Sequence, residues 1–125
     1  MSKWKELFKL GLKEYQARCL ACLIEKGDLT AQEISEEALV PYSKVYSTLK
    51  ELENMRLLIS TNERPKRYIA RAKDEVISFF IERKRKELER IRKQGQIAKR
   101  KLQSKKAVEF NNAIYTQKTL TSESI

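Results

Sequence analysis

The chain has 125 residues, of which 27 are Lys or Arg and 17 are Asp or Glu, so its formal net charge is +10. This length accommodates one small domain with an extension rather than two full domains. The excess of positive charge favours a polyanionic partner. The sequence contains no histidine, which removes the usual general base of nucleophilic catalysis, and no Gly-rich phosphate loop. We therefore predict that the protein is not an enzyme, with no catalytic residue and no cofactor.

The two cysteines, Cys19 and Cys22, are too few to complete a tetrahedral metal site, so we expect no metal. Their C-x-x-C spacing is also found in redox pairs, but here it lies in an apolar helical run with no preceding strand. Two small buried residues on a helix are the favoured interpretation. The chain has no run of 18 apolar residues and no signal-peptide core, so we expect a cytoplasmic protein without a membrane partner.

The first 26 residues predict two helices. Trp4, Leu7 and Phe8 have helical spacing and indicate a short helix that ends near Gly11. A second helix is predicted from Lys13 to Lys26, followed by Gly27, which suits the left-handed conformation that closes a last turn. On this helix one side carries Gln16, Cys19, Leu20, Leu23 and Ile24.

Residues 30–33 (T-A-Q-E) form a capping box, in which the Thr30 hydroxyl accepts from the Glu33 N–H and the Glu33 carboxylate reaches back to Thr30. Ile34 and Ala38 supply the inward face of the short helix that follows. Leu39-Val40 is a tight connection to the next helix. Two short helices separated by three or four residues have the spacing of a helix-turn-helix.

The next helix, within residues 40–54 (V-P-Y-S-K-V-Y-S-T-L-K-E-L-E-N), has Val45, Leu49 and Leu52 on one apolar face. Pro41 fits its start. The opposite face carries hydroxyls and long donors and suits a DNA major groove, although an ordinary amphipathic surface helix has the same apolar pattern. The candidate DNA-binding residues of this helix are Tyr42, Ser43, Lys44, Tyr46, Ser47 and Lys50.

Two strand-like runs, residues 57–61 and 66–70, flank turn chemistry at residues 62–65 and predict a β-hairpin. A hairpin directly after a helix-turn-helix is a wing. We expect its tip to carry the cations Arg64, Lys66 and Arg67, which suit contact with phosphates or the minor groove.

A long helix without proline is predicted from Lys73 to about Lys106, with a length of roughly 50 Å. Residues 71–106 hold 14 Lys/Arg and 5 Asp/Glu, a net of +9, whereas residues 1–70 have a net of +2. The helix has an imperfect heptad seam, interrupted by Lys84, Gly95 and Lys105, which indicates a weak coiled coil. The basic flank is also suited to DNA phosphates. The candidate dimerisation residues are Ile77, Ile81, Leu88, Ile91, Ala98 and Leu102.

These patterns divide the chain into a winged-helix domain at residues 1–72, a basic coiled-coil-like arm at 73–106, and a polar tail at 107–125. The fold class predicted is mainly α with a small β-hairpin: a winged helix-turn-helix followed by a long C-terminal dimerisation helix.

Residues 10–70 resemble the N-terminal domain of the archaeal TrmB-like transcriptional regulators. The resemblance rests on L-G-L-K-E-Y-Q-A-R (10–18), L-T-A-Q-E-I (29–34), V-P-Y-S-K-V-Y-S-T-L-K-E-L (40–52) and R-P-K-R-Y (64–68), in the family's order. It implies a winged helix-turn-helix that binds promoter DNA, usually as a dimer. Ala38-Leu39 and Arg56 depart from it, because glycine is more usual at these two turns. The long sugar-binding region of the larger members has no counterpart in residues 71–125, so no small-molecule effector is identifiable.

We therefore expect a homodimeric regulator that binds double-stranded DNA with sequence specificity. A sequence-tolerant architectural protein is an alternative, because the +9 arm favours nonspecific binding to phosphates. The near-neutral residues 1–70 also leave open a winged-helix module that binds other proteins. A specific regulator should prefer one duplex, an architectural protein should bind all duplexes equally, and a protein-binding module should bind none.

Overall fold

The computed structural model describes residues 3–102. Its elements, in chain order, are α1 (Trp4–Phe8), α2 (Glu14–Lys26), β1 (Leu29–Thr30), α3 (Ala31–Ala38), α4 (Tyr42–Asn54), β2 (Leu58–Ser60), β3 (Arg67–Ala70) and α5 (Lys73–Lys101). The chain divides into two compact units, one ending at Lys84 and the other beginning at Arg85. The helices α1 to α4, the hairpin and the start of α5 belong to the first unit, and the predicted mainly helical winged-helix fold is confirmed.

The predicted helix-turn-helix is formed by α3 and α4, separated by residues 39–41. Its capping box is present: the Glu33 N–H donates to the Thr30 hydroxyl over 3.2 Å, and the Thr30 N–H donates to the Glu33 carboxylate over 2.8 Å. At the other end of α3, the Ser35 hydroxyl donates to the Val40 carbonyl over 2.6 Å, and the Val40 N–H returns to the Ser35 carbonyl over 3.1 Å. These bonds fix the turn that orients α4. Pro41 is the N-cap of α4.

The sheet has three antiparallel strands in the order β1-β3-β2. The predicted hairpin is present, with Ile59 opposite Ile69 and Ser60 opposite Tyr68. Tyr68 is buried and Ile69 exposed, so one face of β3 packs on the core and the other faces solvent. The pairing of β1 with β3, which places Leu29 opposite Tyr68, was not predicted from the sequence.

The core of the first unit is built from α1 to α4, the sheet and the first turns of α5. Its fully enclosed side chains include those of Leu20, Ile34, Val45, Leu49 and Leu52. The α5 residues in this core are Val76 and Phe80, which are 0% and 4% exposed. The seam residues Ile77 and Ile81 lie on a neighbouring stripe of α5 and are exposed.

The described part of the second unit is the remainder of α5 and Leu102. The predicted helix therefore extends at least to Lys101, whereas residues 103–106 and the predicted tail at 107–125 lie outside the described residues. The proposed domain boundary near residue 72 stays a prediction, although Val76 and Phe80 place the start of α5 in the first unit. None of the helices within residues 3–102 has the length and apolar character needed to cross a membrane.

Candidate nucleic-acid interface

The two faces of α4 differ sharply in exposure. The inner face packs into the core, and its residues Val45, Leu49 and Leu52 are 0% exposed. The predicted DNA-binding residues all lie on the solvent side, and all are exposed: Tyr42, Ser43, Lys44, Tyr46, Ser47 and Lys50. From Tyr42 to Lys50 this face has hydroxyl and ammonium donors and no carboxylate, which matches the phosphates and the base acceptors of a DNA groove.

The two carboxylates of α4 are used within the domain. Glu51 accepts from the Gln16 side-chain amide over 2.9 Å, and Glu53 accepts from the Ser60 hydroxyl over 2.9 Å. Each bond ties α4 to another element, α2 in the first case and β2 in the second. The acidic side chains therefore help to position α4, and both lie in its last turn, after the candidate residues 42–50.

Tyr42 and Tyr46 form a pair on the first turns of α4. Their hydroxyl oxygens are 3.1 Å apart and their rings meet edge to face, with centroids 5.6 Å apart. The hydrogen bond to Tyr46, with a contribution from burial, raises the pKa of the Tyr42 hydroxyl. The Tyr42 phenol is therefore neutral at physiological pH. Both tyrosine side chains are 53% exposed. The pair presents two rings and a shared hydroxyl cluster to a ligand.

The wing carries Arg64 and Lys66 in the connection between β2 and β3, so these two cations lie in the hairpin loop as predicted. Arg67 is the first residue of β3, within the second strand predicted at 66–70, and its guanidinium binds Asp28. Its Nη2 is 2.8 Å from the Asp28 carboxylate oxygen Oδ1 and 3.0 Å from the Asp28 carbonyl oxygen. This pair raises the pKa of Arg67. Arg67 thus ties the wing to the loop before β1.

A groove of about 610 Å³ separates α4 from the wing. Tyr42 and Tyr46 line one side of it, and Arg64, Pro65 and Lys66 line the other. The structure therefore brings the tyrosine pair and the cations of the wing loop to one concave surface.

Four cations around this surface have no ion pair within residues 3–102: Lys44, Lys50, Arg64 and Lys66. By contrast, Lys26, Arg18 and Arg67 are paired with carboxylates. Cations without an internal partner give up no internal ion pair when they bind a phosphate, so these four are well placed for a polyanion.

The chemistry of the described residues gives no sign of a catalytic centre. Burial, together with the neighbouring Cys22, raises the pKa of the Cys19 thiol to about 12. Burial and Glu37 raise the pKa of Cys22 to about 11. Both thiols are therefore protonated and weakly nucleophilic at neutral pH. Within residues 3–102, no three His, Cys, Asp or Glu side chains cluster as metal ligands do.

The predicted dimerisation residues are exposed along α5. Ile77 and Ile81 are 41% and 57% exposed in the first unit, and Leu88, Ile91 and Leu102 are 49%, 55% and 76% exposed in the second. Ala98 is exposed as well. Within residues 3–102, no other part of the chain covers this stripe.

Two residues that position the site were not identified from the sequence. Gln16 is only 5% exposed. Its side-chain oxygen accepts from the Lys13 N–H over 3.0 Å, and its side-chain amide donates to the Glu51 carboxylate of α4 over 2.9 Å. Asp28 anchors Arg67. A glutamine in an otherwise apolar helical stripe was the available signal for Gln16, whereas the contact between Asp28 and Arg67 spans 39 residues and had no local signal.

A family model described as "Sugar-specific transcriptional regulator TrmB" matches residues 7–73 of this chain, which is more than half of it. The matched region contains every candidate residue on the face of α4 and on the wing.

Solved structures resemble the chain as well. One, described as TrmBL2, an archaeal chromatin protein with a novel mode of DNA binding, has a TM-score of 0.75 and 21% identity. The match covers 89% of this chain and 44% of that one, so this chain spans less than half of its length. A possible transcriptional regulator from Methanosarcina mazei Go1 has a TM-score of 0.60 and 13% identity, with 74% and 85% of the two chains covered.

The transcriptional regulator Tm0710 from Thermotoga maritima has a TM-score of 0.50 and 24% identity, with 97% and 84% of the two chains covered. At these identities the likeness of all three structures concerns the fold.

Proposed function

Because the chain belongs to the TrmB family of transcriptional regulators, we propose that it binds double-stranded DNA sequence-specifically, as a homodimer, and thereby regulates transcription. The observation that carries this proposal is the division of α4 into a buried apolar face and an exposed donor face that has no carboxylate from Tyr42 to Lys50. Helices in the DNA-binding position of a helix-turn-helix have this division, because one face holds the helix to its domain while the other reads the groove.

In this proposal the outer face of α4 enters the major groove, which is about 12 Å wide and admits a helix. In this arrangement Lys50 and Tyr46 would contact base edges. The Ser47 hydroxyl donates to the Lys44 carbonyl over 3.1 Å, so its oxygen is left to accept from a base amino group. Tyr42 and Ser43, at the start of the helix, present backbone N–H groups to a phosphate, and Lys44 adds a cation beside them.

The wing contributes through charge. Arg64 and Lys66 face the groove beside α4, where they suit contact with the backbone or the minor groove. Arg67 supports them, since its bonds to Asp28 hold β3 to the start of β1. We therefore assign Arg67 a positioning role in addition to its predicted contact with DNA.

Dimerisation is proposed along the exposed stripe of α5, which contains Ile77, Ile81, Leu88, Ile91, Ala98 and Leu102. Their spacing of three and four residues is that of a coiled-coil seam. A dimer would address two half-sites about 34 Å apart, one turn of the DNA helix. We propose no small-molecule effector for this chain, and the sugar specificity in the family's description is a property of the family.

The test is fluorescence anisotropy with labelled duplexes, one from the chain's own upstream region and one with the same bases shuffled, each at two salt concentrations. We expect a preference of about a thousandfold or more that persists at the higher salt, as specific regulators show. Binding to neither duplex would refute a role in DNA binding and would favour a module that binds other proteins.

A second function is favoured by the charge of the arm: residues 71–106 have a net charge of +9. An architectural protein that coats DNA binds through phosphates alone, with affinity that falls steeply as salt rises. The structural likeness to a protein described as an archaeal chromatin protein agrees with this alternative. Tight binding to both duplexes that disappears in parallel as salt rises would establish it.

A further inference from the structure

The second unit carries a basic surface on α5 with an unusual arrangement around Gln96. Arg92 and Lys93 precede Gln96 by four and three residues, and Lys99 and Arg100 follow it by three and four. On a helix, residues three and four apart are surface neighbours. All five of these side chains are exposed. Gln96 is therefore the centre of four cations, which we name the Gln96 tetrad.

The same arrangement occurs seven residues earlier, around Glu89. Its neighbours at the corresponding positions are the dibasic pairs 85–86 and 92–93, and both positions are exposed. Here the central residue is a carboxylate, which offsets part of the surrounding charge. The two clusters have the same geometry and differ in the charge at the centre, so only the second lacks a central counter-charge.

The cations of the Gln96 tetrad also lack ion pairs within residues 3–102. Like charges gathered on one helix face are unfavourable for the helix itself. Such a cluster is stabilised when an external polyanion supplies the missing charge. From Arg92 to Arg100 the helix advances by about 12 Å, which corresponds to three or four phosphates along one strand of B-DNA.

We propose that the Gln96 tetrad is a second DNA-binding surface, separate from α4, that binds the phosphate backbone without reading sequence, and that Glu89 limits the first cluster to weaker binding. This inference rests on the proposed function in one respect, namely that DNA is the polyanion. It assigns to four residues of α5 a sequence-independent share of the affinity, in addition to the phosphate contacts proposed for α4 and the wing, and it leaves the sequence preference to α4.

The two central residues provide reciprocal tests. Gln96→Glu gives the tetrad a central counter-charge, and Glu89→Gln removes the one in the first cluster. The full-length chain and each variant are titrated with a labelled random-sequence duplex of about two helical turns, from about 50 to 200 mM salt. Each phosphate that the protein neutralises adds about 0.9 to the steepness of log affinity against log salt. We expect Gln96→Glu to make the slope shallower by about one and Glu89→Gln to make it steeper by about one.

Salt rises fourfold over this range. A change of 0.9 in the slope therefore changes the ratio between the affinities at the lowest and the highest salt by about threefold. The helix content from circular dichroism should not decrease in Gln96→Glu, because the new carboxylate has four cationic neighbours. A weaker dependence on salt would then reflect weaker binding to the DNA backbone and not a damaged helix.

A pair of double variants separates position from total charge. Lys99→Gln with Arg100→Gln removes two cations that belong to the Gln96 tetrad alone, since residues 92–93 also flank Glu89. Arg90→Gln with Lys101→Gln removes the same amount of charge from another side of the helix. At 100° per residue, these two positions lie about 120–140° around the helix axis from Gln96. We expect the tetrad pair to make the slope shallower by about two and the control pair to change it by less than half as much.

Equal effects of the two pairs, or an unchanged slope in Gln96→Glu, would overturn the inference. Binding to vesicles that contain phosphatidylserine, with no effect of the variants on DNA, would also overturn it and would indicate a membrane surface. Loss of sequence preference alone would refute the specific regulator but leave the tetrad standing, so the two failures are distinguishable.

Discussion

Arg56 ends α4 in a conformation that costs free energy. Its φ is 62°, in the left-handed region that residues with a Cβ seldom occupy. The Leu57 N–H donates to the Leu52 carbonyl over 3.0 Å, and the Arg56 N–H donates to the Glu53 carbonyl over 2.9 Å. This is the bonding pattern of a Schellman motif, in which glycine is the usual residue at the left-handed position. We therefore predict that Arg56→Gly stabilises the domain.

The magnitude follows from two opposing terms. The left-handed conformation costs a residue with a Cβ about 1–2 kcal/mol, and glycine avoids this. Glycine also gives the unfolded chain more freedom, which costs about 0.4–1 kcal/mol. Arg56 is exposed, so its replacement removes little packing. The expected net gain is about 0.5–1 kcal/mol, or about 2–8 °C in the melting temperature of a domain of this size.

The assay is urea unfolding at fixed protein concentration, followed by the fluorescence of Trp4, the chain's single tryptophan. Trp4 lies beside Arg18, whose guanidinium carbon is 4.4 Å from its ring centroid, so it reports on the first unit. Arg56→Ala is the matched control, because it removes the same long side chain and keeps the Cβ. If Arg56→Gly is no more stable than Arg56→Ala, the left-handed strain at this position is not real.

Four further predictions concern other elements. Thr30→Ala removes the side chain of the capping box and should cost about 1 kcal/mol of unfolding free energy in the same urea assay; unchanged stability would show that α3 does not depend on it. Lys50→Ala should weaken DNA binding, by about 1–3 kcal/mol at one base position if it reads a base edge; an equal decrease on every sequence would make it a phosphate contact. Ile91→Lys should convert the proposed dimer to monomer in sedimentation equilibrium, and an unchanged mass would exclude this seam. Cys19 and Cys22 should react with iodoacetamide at pH 8 far more slowly in the folded chain than in urea, because their pKa values are raised to about 12 and 11 from 9.0, and equal rates would contradict their burial. Since these folded-state values lie above the unfolded ones, the contribution of the protonated thiols to stability is full below pH 9 and is lost as the pH rises through about 11 to 12.

Local signals in the sequence predicted much of the fold. The capping box at Thr30 involves residues three apart, and its bonds form as predicted. The buried face of α4 follows from the helical period, which places Val45, Leu49 and Leu52 on one side. The two turns where the sequence departs from the usual glycine, at Leu39 and Arg56, are the two positions with positive φ outside glycine in the described chain. Each of these features is determined by residues that are close together in the sequence.

Features that depend on distant partners were missed. Strand β1 has two residues and exists because Leu29 and Thr30 pair with β3, and two residues give no periodic signal. The hydrogen bond between Gln16 and Glu51 spans 35 residues. Likewise, the bonds between Arg67 and Asp28 span 39 residues.

The long helix α5 shows a different limit of prediction from sequence. Its first turns carry two apolar stripes side by side, Val76 with Phe80 and Ile77 with Ile81. Both have a spacing of four residues, so periodicity could not decide which stripe packs on the domain. The structure buries the first and exposes the second. The assignment of the exposed stripe to a dimer stays a prediction, as do the contacts of α4 and the wing with DNA.

The central claim is that the outer face of α4 and the wing loop together form the surface that binds DNA sequence-specifically. The most direct measurement is a titration of the ¹⁵N-labelled full-length chain with its own upstream duplex, followed by amide chemical shifts at about 200 mM salt, where backbone-only binding is weakened. We predict the largest shifts at Ser43, Tyr46, Ser47 and Lys50 and in the loop that holds Arg64 and Lys66. Shifts confined to α5, with none on α4, would contradict the claim.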